Sequence, residues 1–225
     1  MEMSGLRKVD PVKHEQKRGE ILGAAIRCFI RDGFRGASTT DICTAAGISP
    51  GHLYHYFPSK EAIIEAMIDL GLAHAAERFE KILAAPDVIE ALLTDIEETS
   101  LRFRPAQILN LDGLAEAARN PEFAKLIERH TETVRRMWSD FLRQAQSQGR
   151  VDPGLNPDAT ADVLIALIDG SRAMPIRNPT LDIKQSAAHL KTMLVRFLGP
   201  PDAQIEAIKP RTQRTARPLK LVRKR

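Results

Sequence analysis

The stretch Ser38–Lys60, STTDICTAAGISPGHLYHYFPSK, decides how this chain is read. Ser38 has the short side-chain oxygen that caps a helix start, and Asp41 can reach back to it from the first turn. A first helix is expected from about Thr39 to Ala46. Gly47 follows, at the position where a left-handed backbone costs little for glycine alone. Ser49 repeats the start signal, and Pro50 takes the first helical position, where its missing amide is not needed. Ile42, Ala45, Ile48 and Leu53 can hold the pair against a third helix. Gly51, His52, Tyr54, His55 and Tyr56 remain, a short polar and aromatic surface without an acid. Two small capped helices joined by a glycine turn form a helix-turn-helix, whose second member lies in the DNA major groove.

Upstream, Ile21, Leu22, Ala25, Ile26, Phe29 and Ile30 lie on one face of a helix expected over about Glu15–Arg31. Asp32-Gly33 ends it, and Phe34 tucks back under the head. The segments RGEILGAAIRCFIRDGF (Arg18–Phe34) and TTDICTAAGISPGHLYHYFPSK (Thr39–Lys60) together closely resemble the DNA-binding head of the TetR family of bacterial transcriptional regulators. The resemblance implies an all-α homodimer that represses genes and releases DNA when a small effector binds. It also implies roles. Thr39 and Thr40 would meet phosphate and base edges. Pro50, Gly51, His52, Tyr54, His55 and Tyr56 would form the recognition surface, and Lys60 would meet a phosphate. The rest of the chain matches only in general plan, so no effector is carried over.

Composition agrees with a helical DNA-binding protein. Of 225 residues, 43% are hydrophobic and 5% aromatic, enough for a core but without the runs of β-branched residues that strands favour. The net charge of +4 is uneven. Residues 1–60 carry +3, residues 61–204 carry −6, and residues 205–225 carry +7. Phosphate neutralisation dominates nucleic-acid affinity, so the basic ends favour DNA and the acidic middle does not. No apolar run reaches the about 18 residues of a membrane span, and no signal segment opens the chain. A cytoplasmic protein is expected. Cys28 and Cys43 form no Cys-x-x-Cys pair and read as small core residues.

Four regions are expected. Residues 1–14 form a polar arm, either solvated or touching the DNA backbone through Arg7, Lys8, Lys13, Lys17 or Arg18. Residues 15–60 form the DNA-binding domain, with its motif at about 38–57. Residues 61–199 form a helical body for ligand binding and dimerisation, about nine helices in all with the head. Residues 200–225 form a basic tail, solvated or serving as a non-specific DNA arm. In the body, Ser59 caps a long helix to about Ala84, whose inward face is Ile63, Met67, Leu70, His74 and, at its far end, Ile82, with the histidine in the core. Helices follow from Pro86-Asp87 to about Phe103, over about Ala106–Ala118, from Asn120-Pro121 to Gly149, over Ala159–Met174, and over Asp182–Leu198. Asn120-Pro121, Asn156-Pro157 and Asn178-Pro179 all read as helix starts, and Pro175, Asn178 and Pro179 together also read as the stop of the helix over Ala159–Met174.

Tyr54 and Tyr56 point about 200° apart on a helix, so one faces DNA and the other the core of the head. His52 and His55 share a face that could hold a metal. With no third ligand near, base or phosphate contact is the reading, and no metal is expected. So short a recognition helix reads few base pairs, which a homodimer on half-sites about 34–36 Å apart remedies. The last two helices, about 158–174 and 182–198, carry broad apolar faces with the small Ala166, Gly170 and Ser171. They are the dimer candidates. The alternative is that they cover the monomer's own core.

Effector-pocket candidates are Phe103, Met137, Trp138, Phe141, Ile168, Asp169 and Arg172, suited to an apolar molecule with one polar group. Asp112 and Asp169 are the acids nearest an apolar stripe, able to cap, pair or line a pocket. No phosphate loop, nucleophile elbow or zinc-protease motif occurs, so neither enzyme nor cofactor is expected. A helical scaffold with only non-specific nucleic-acid affinity is the competing reading of function.

Overall fold

The computed structural model describes residues 10–102 and 104–200. The helices are α1 (Pro11–Gly36), α2 (Thr39–Ala46), α3 (Pro50–Tyr56), α4 (Lys60–Ala84), α5 (Val88–Arg102), α6 (Arg104–Ala117), α7 (Pro121–Ser147), α8 (Pro157–Arg177) and α9 (Ile183–Leu198). Among the described residues there is no strand. The tail beyond residue 200, the first nine residues and the pocket candidate Phe103 lie outside the described residues.

Helix ends follow the local chemistry of the sequence. Ser38 and Asp41 form the reciprocal capping box, with Asp41 N–H donating to Ser38 Oγ at 3.1 Å and Ser38 N–H to Asp41 Oδ2 at 2.9 Å. Gly47 ends α2 at φ 64°, ψ 39°. Ser49 and Ser59 cap α3 and α4, and Asn120 and Asn156 cap α7 and α8 ahead of their prolines. The third Asn-Pro pair, expected both to end one helix and to start the next, does only the first. Asn178 is the C-cap of α8, and Asp182 caps α9. Pro175 also fails to stop α8, which runs on to Arg177. A proline this near a helix end deletes one backbone bond, and Asn178 N–H still closes the last turn on Met174 O at 2.8 Å. At the other end, α1 starts at Pro11 with Asp10 as its cap, so part of the expected arm is helix.

Two apolar cores are stacked along the molecule. The upper one joins Ile21, Phe29, Phe34, Ile42 and Leu53 of the head to Ile63 and Ile64 of α4, Leu109 of α6, and Phe123 and Leu126 of α7. The head therefore has no closed core of its own and shares one with the body. Ala45, expected inside, is exposed, and Ala46 packs in its place. The lower core holds Ile82, Val88, Leu92, Trp138, Phe141, Leu142, Leu164, Leu194 and Leu198. α4 runs through both, and its contacts change along its length. Leu70 is 41% exposed and His74 is exposed, so the expected inward stripe is broken past Met67 and resumes only at the buried Ile82. Phe79 and Leu83 join Ile82 in the second contact.

Two basic side chains tie the long helices at their ends. Lys60 Nζ donates to Phe34 O and Ala37 O at 2.9 and 3.2 Å. Arg150 Nη1 donates to Leu83 O and Ala85 O at 3.0 and 2.7 Å, capping the end of α4.

Candidate DNA interface and body site

α2 and α3 are held from beneath by Ile42 and Leu53, each fully buried. Their outer surface is set by the caps. Thr40, Pro50, Gly51, His52, Tyr54 and His55 are exposed, and Thr39 and Tyr56 are half-buried. Tyr54 stands 51% exposed, while Tyr56 packs against the upper core. The one acid of this pair of helices, Asp41, is engaged by the hydroxyl and amide of Ser38, which hold its carboxyl below the usual aspartate value. Asp41 therefore stays ionised but is turned onto the α2 cap, and the exposed residues of α3 include no acid.

Lys60 is not placed on that face as a free cation. Its ammonium is half-buried on the two carbonyls that end α1. It fixes the loop leading to Ser38. A residue absent from the sequence reading joins the face instead. The His14 ring, from the first turns of α1, lies 4.6 Å from that of Tyr56 and 5.9 Å from that of His55. His52 and His55 lie 5.4 and 5.2 Å from Tyr56. Nothing in the local pattern around His14 signals this, because it depends on where α1 crosses α3. Among the described residues no group of three His, Cys, Asp or Glu side chains is arranged to hold a metal.

The head is bound to α6 at the kink of α1. Gly33 has φ 75° and ψ 170°, a conformation open essentially to glycine. The kink frees the Phe34 amide, which donates to Asp112 Oδ2 at 2.6 Å. A Cβ on Gly33 would lie 3.0 Å from the same oxygen. Phe34 is thus gripped on both sides of its peptide: its N–H by α6 and its C=O by α4.

In the body, Trp138, Phe141 and Ile168 come together in the lower core, the two rings packing against Phe79 at 4.8 and 5.0 Å. Met137 is half-buried and is not one of the side chains packed on that core. Asp169 and Arg172 form a different group, with Arg172 Nη1 3.6 Å from Asp169 Oδ1 and Nη2 3.4 Å from Thr99 Oγ1. Three further partners escaped the sequence reading. Arg78 Nε lies 3.2 Å from Asp95 Oδ1, and His130 Nδ1 is buried without a hydrogen-bond partner. Desolvation pushes the carboxyls of Asp169 and Asp95 up, the Arg172 guanidinium down and the His130 imidazole down. Four helices contribute to this charged cluster, and no spacing along the chain announces it.

Residues 21–67 match the family described as bacterial regulatory proteins, tetR family, and residues 87–199 match the BetI-type transcriptional repressor, C-terminal family. The chain belongs to the TetR family. The HTH-type transcriptional regulator UidR of Escherichia coli is 32% identical over 153 residues, 68% of this chain and 78% of its own length. The HTH-type transcriptional repressor KstR2 of Mycobacterium tuberculosis is 30% identical over 146 residues, 63% of this chain and 72% of its own length. The structure of Salmonella enterica GusR superposes with a TM-score of 0.69 at 28% identity, covering 86% of this chain and 99% of that one. This TetR-family protein is a DNA-binding transcriptional regulator with an all-helical body. Among the described residues, no helix is long and apolar enough to cross a membrane.

Proposed function

We propose that the protein is a homodimeric repressor that acts in the cytoplasm and leaves its operator when a small molecule enters the body. The observation that carries the DNA-binding part is the capped α2–α3 pair, with its exposed face free of unpaired acid. Thr39, Thr40, Pro50, Gly51, His52, Tyr54, His55 and Tyr56 supply the contacts, with Tyr54 reaching out and Tyr56 setting the base of the surface. Lys60 serves this surface by holding the α1–α2 loop. Any phosphate contact it makes uses the donor capacity left over from Phe34 and Ala37.

The dimer is assigned to α8 and α9. Val163, Met174, Met193 and Phe197 expose large apolar groups there, and His189, Thr192, Met193, Arg196 and Phe197 line an open groove of about 450 Å³. Apolar surface of this extent is the mark of an interface.

The effector site is placed at the charged cluster between the two cores, with Met137 and Trp138 as its apolar floor and Asp169 and Arg172 as its polar side. A ligand carrying one ionised group competes for these strained partners, while its apolar part meets the lower core. Effector binding then favours the arrangement of α4 and α6 in which the heads no longer match the operator. A full switch needs about a 10⁴-fold difference in effector affinity between the two states. Footprinting on the DNA upstream of the protein's own gene, with candidate small molecules added, tests the whole reading. Two protected half-sites one helical turn apart, lost with one compound, support it. Equal affinity for operator and random DNA overturns it and favours a scaffold with general electrostatic affinity.

A further inference from the structure

We propose that His14 is a positioning residue of the DNA-reading surface: it braces Tyr56 from outside α3, and the histidines around that ring make operator binding proton-linked. This rests on the DNA-binding reading of α3.

α3 is short, spanning only Pro50–Tyr56. Tyr56 is its last residue, so no following turn packs against its ring. His52 and His55 flank the ring from within α3, and His14 closes the remaining side at 4.6 Å with the two planes tilted by 30°. The brace comes from a different helix, α1. It therefore fixes how α3 ends relative to α1, which a contact within α3 cannot do.

Three imidazoles around one phenol ring also form a cluster that can gain charge. Histidine is the side chain that takes up a proton just below neutral pH. The charged groups on the neighbouring elements have partners of their own. On α1, Asp10 faces Lys13 at 3.9 Å, Glu15 faces Arg18 at 3.4 Å, and Lys17 faces Glu20 at 2.9 Å. Arg18 also lies over the Phe57 ring at 5.2 Å. On α2, Asp41 is engaged by Ser38, and on α4, Lys60 is engaged by backbone carbonyls. Among the described residues no ion pair joins a carboxylate to His14, His52 or His55. A DNA phosphate supplies the missing counter-charge. The complex therefore binds more protons than the free protein, and linkage makes affinity rise as pH falls.

The experiment is an operator titration with the full-length protein at about pH 6 and about pH 8, at constant ionic strength, with His14→Phe and His14→Ala. The native protein should bind about tenfold more tightly at the lower pH, the yield of half a proton per unit over two units. His14→Phe keeps a ring against Tyr56. It should bind within about twofold of native at the higher pH and show a clearly smaller rise on acidification. His14→Ala should bind about tenfold more weakly at both pH values, since the brace itself is gone. His74, His130 and His189 lie outside this ring cluster, and their effects cancel between native and His14→Phe. A native slope that His14→Phe leaves unchanged overturns the proton linkage, and native-like affinity of His14→Ala overturns the brace. Should the variants fold poorly, the native protein still decides: the His14 imidazole, followed by NMR, must hold its proton to higher pH on the operator than off it. Absence of any operator preference at the higher pH would instead overturn the DNA-binding reading itself.

Discussion

Replacing Asp112 by alanine cuts the tie between α6 and the head. Its carboxylate accepts the Phe34 amide proton at 2.6 Å in a half-buried position. That amide has no helical acceptor, because α1 kinks at Gly33. A hydrogen bond to a charged group is worth about 1.5–3 kcal/mol, and stranding a half-buried backbone donor costs much the same. Asp112→Ala should therefore lose about 2 kcal/mol of stability. The variant should still fold, since Phe34 stays packed against Phe29 and Phe123 at 5.1 and 5.4 Å between ring centroids. Urea unfolding measures the loss, at one protein concentration for all variants because a dimer's stability depends on it. Gly33→Ala sharpens the test. It combines a forbidden backbone angle, costing about 1–3 kcal/mol, with a steric clash against the Asp112 carboxylate. In the Asp112→Ala background the clash vanishes and the backbone cost stays, so the two changes must destabilise less together than their sum. Strict additivity, or a Phe34 amide that exchanges as slowly without Asp112 as with it, would refute the tie.

Three further outcomes are expected. Lys60→Met keeps the aliphatic stem but strands two carbonyls, so it should lower stability by about 1.5–3 kcal/mol and change the salt slope of operator binding by less than one phosphate; a full unit of slope with unchanged unfolding would make Lys60 a DNA contact first. His130 is held below the usual histidine value by burial. Its unfolded form therefore binds a proton first, and native stability should fall as pH drops through about 6.5. His130→Gln should flatten that limb in urea midpoints measured across the range, and an identical limb would mean the ring titrates as if solvated. Phe197→Glu on α9 should give a monomer by light scattering and lower operator affinity by about 10²-fold or more through lost bivalency; a dimer of normal affinity would move the interface elsewhere.

What the sequence determined by itself is local. The capping box at Ser38 and Asp41, the left-handed Gly47, the Ser49-Pro50 start and the Asn-Pro starts of α7 and α8 are all read correctly, because a helix end is satisfied by atoms a few residues away. That chemistry sufficed to place the recognition helix and its exposed face. What needed the tertiary structure is every assignment made across helices. His74 lies on a good apolar stripe yet faces water, since α4 changes neighbours between two cores. Lys60 is expected on phosphate, Asp112 only as an acid that could cap, pair or line a pocket, and Arg150 has no expected role, yet each serves backbone groups far along the chain. His14 meets Tyr56, and Arg78 and His130 join Asp169 and Arg172, only because the helices cross at particular points. The physical reason is range. Capping and backbone conformation act over a few bonds and leave a mark in the local pattern. Burial and charge pairing depend on the rotation and crossing of whole helices, which no short stretch of residues records.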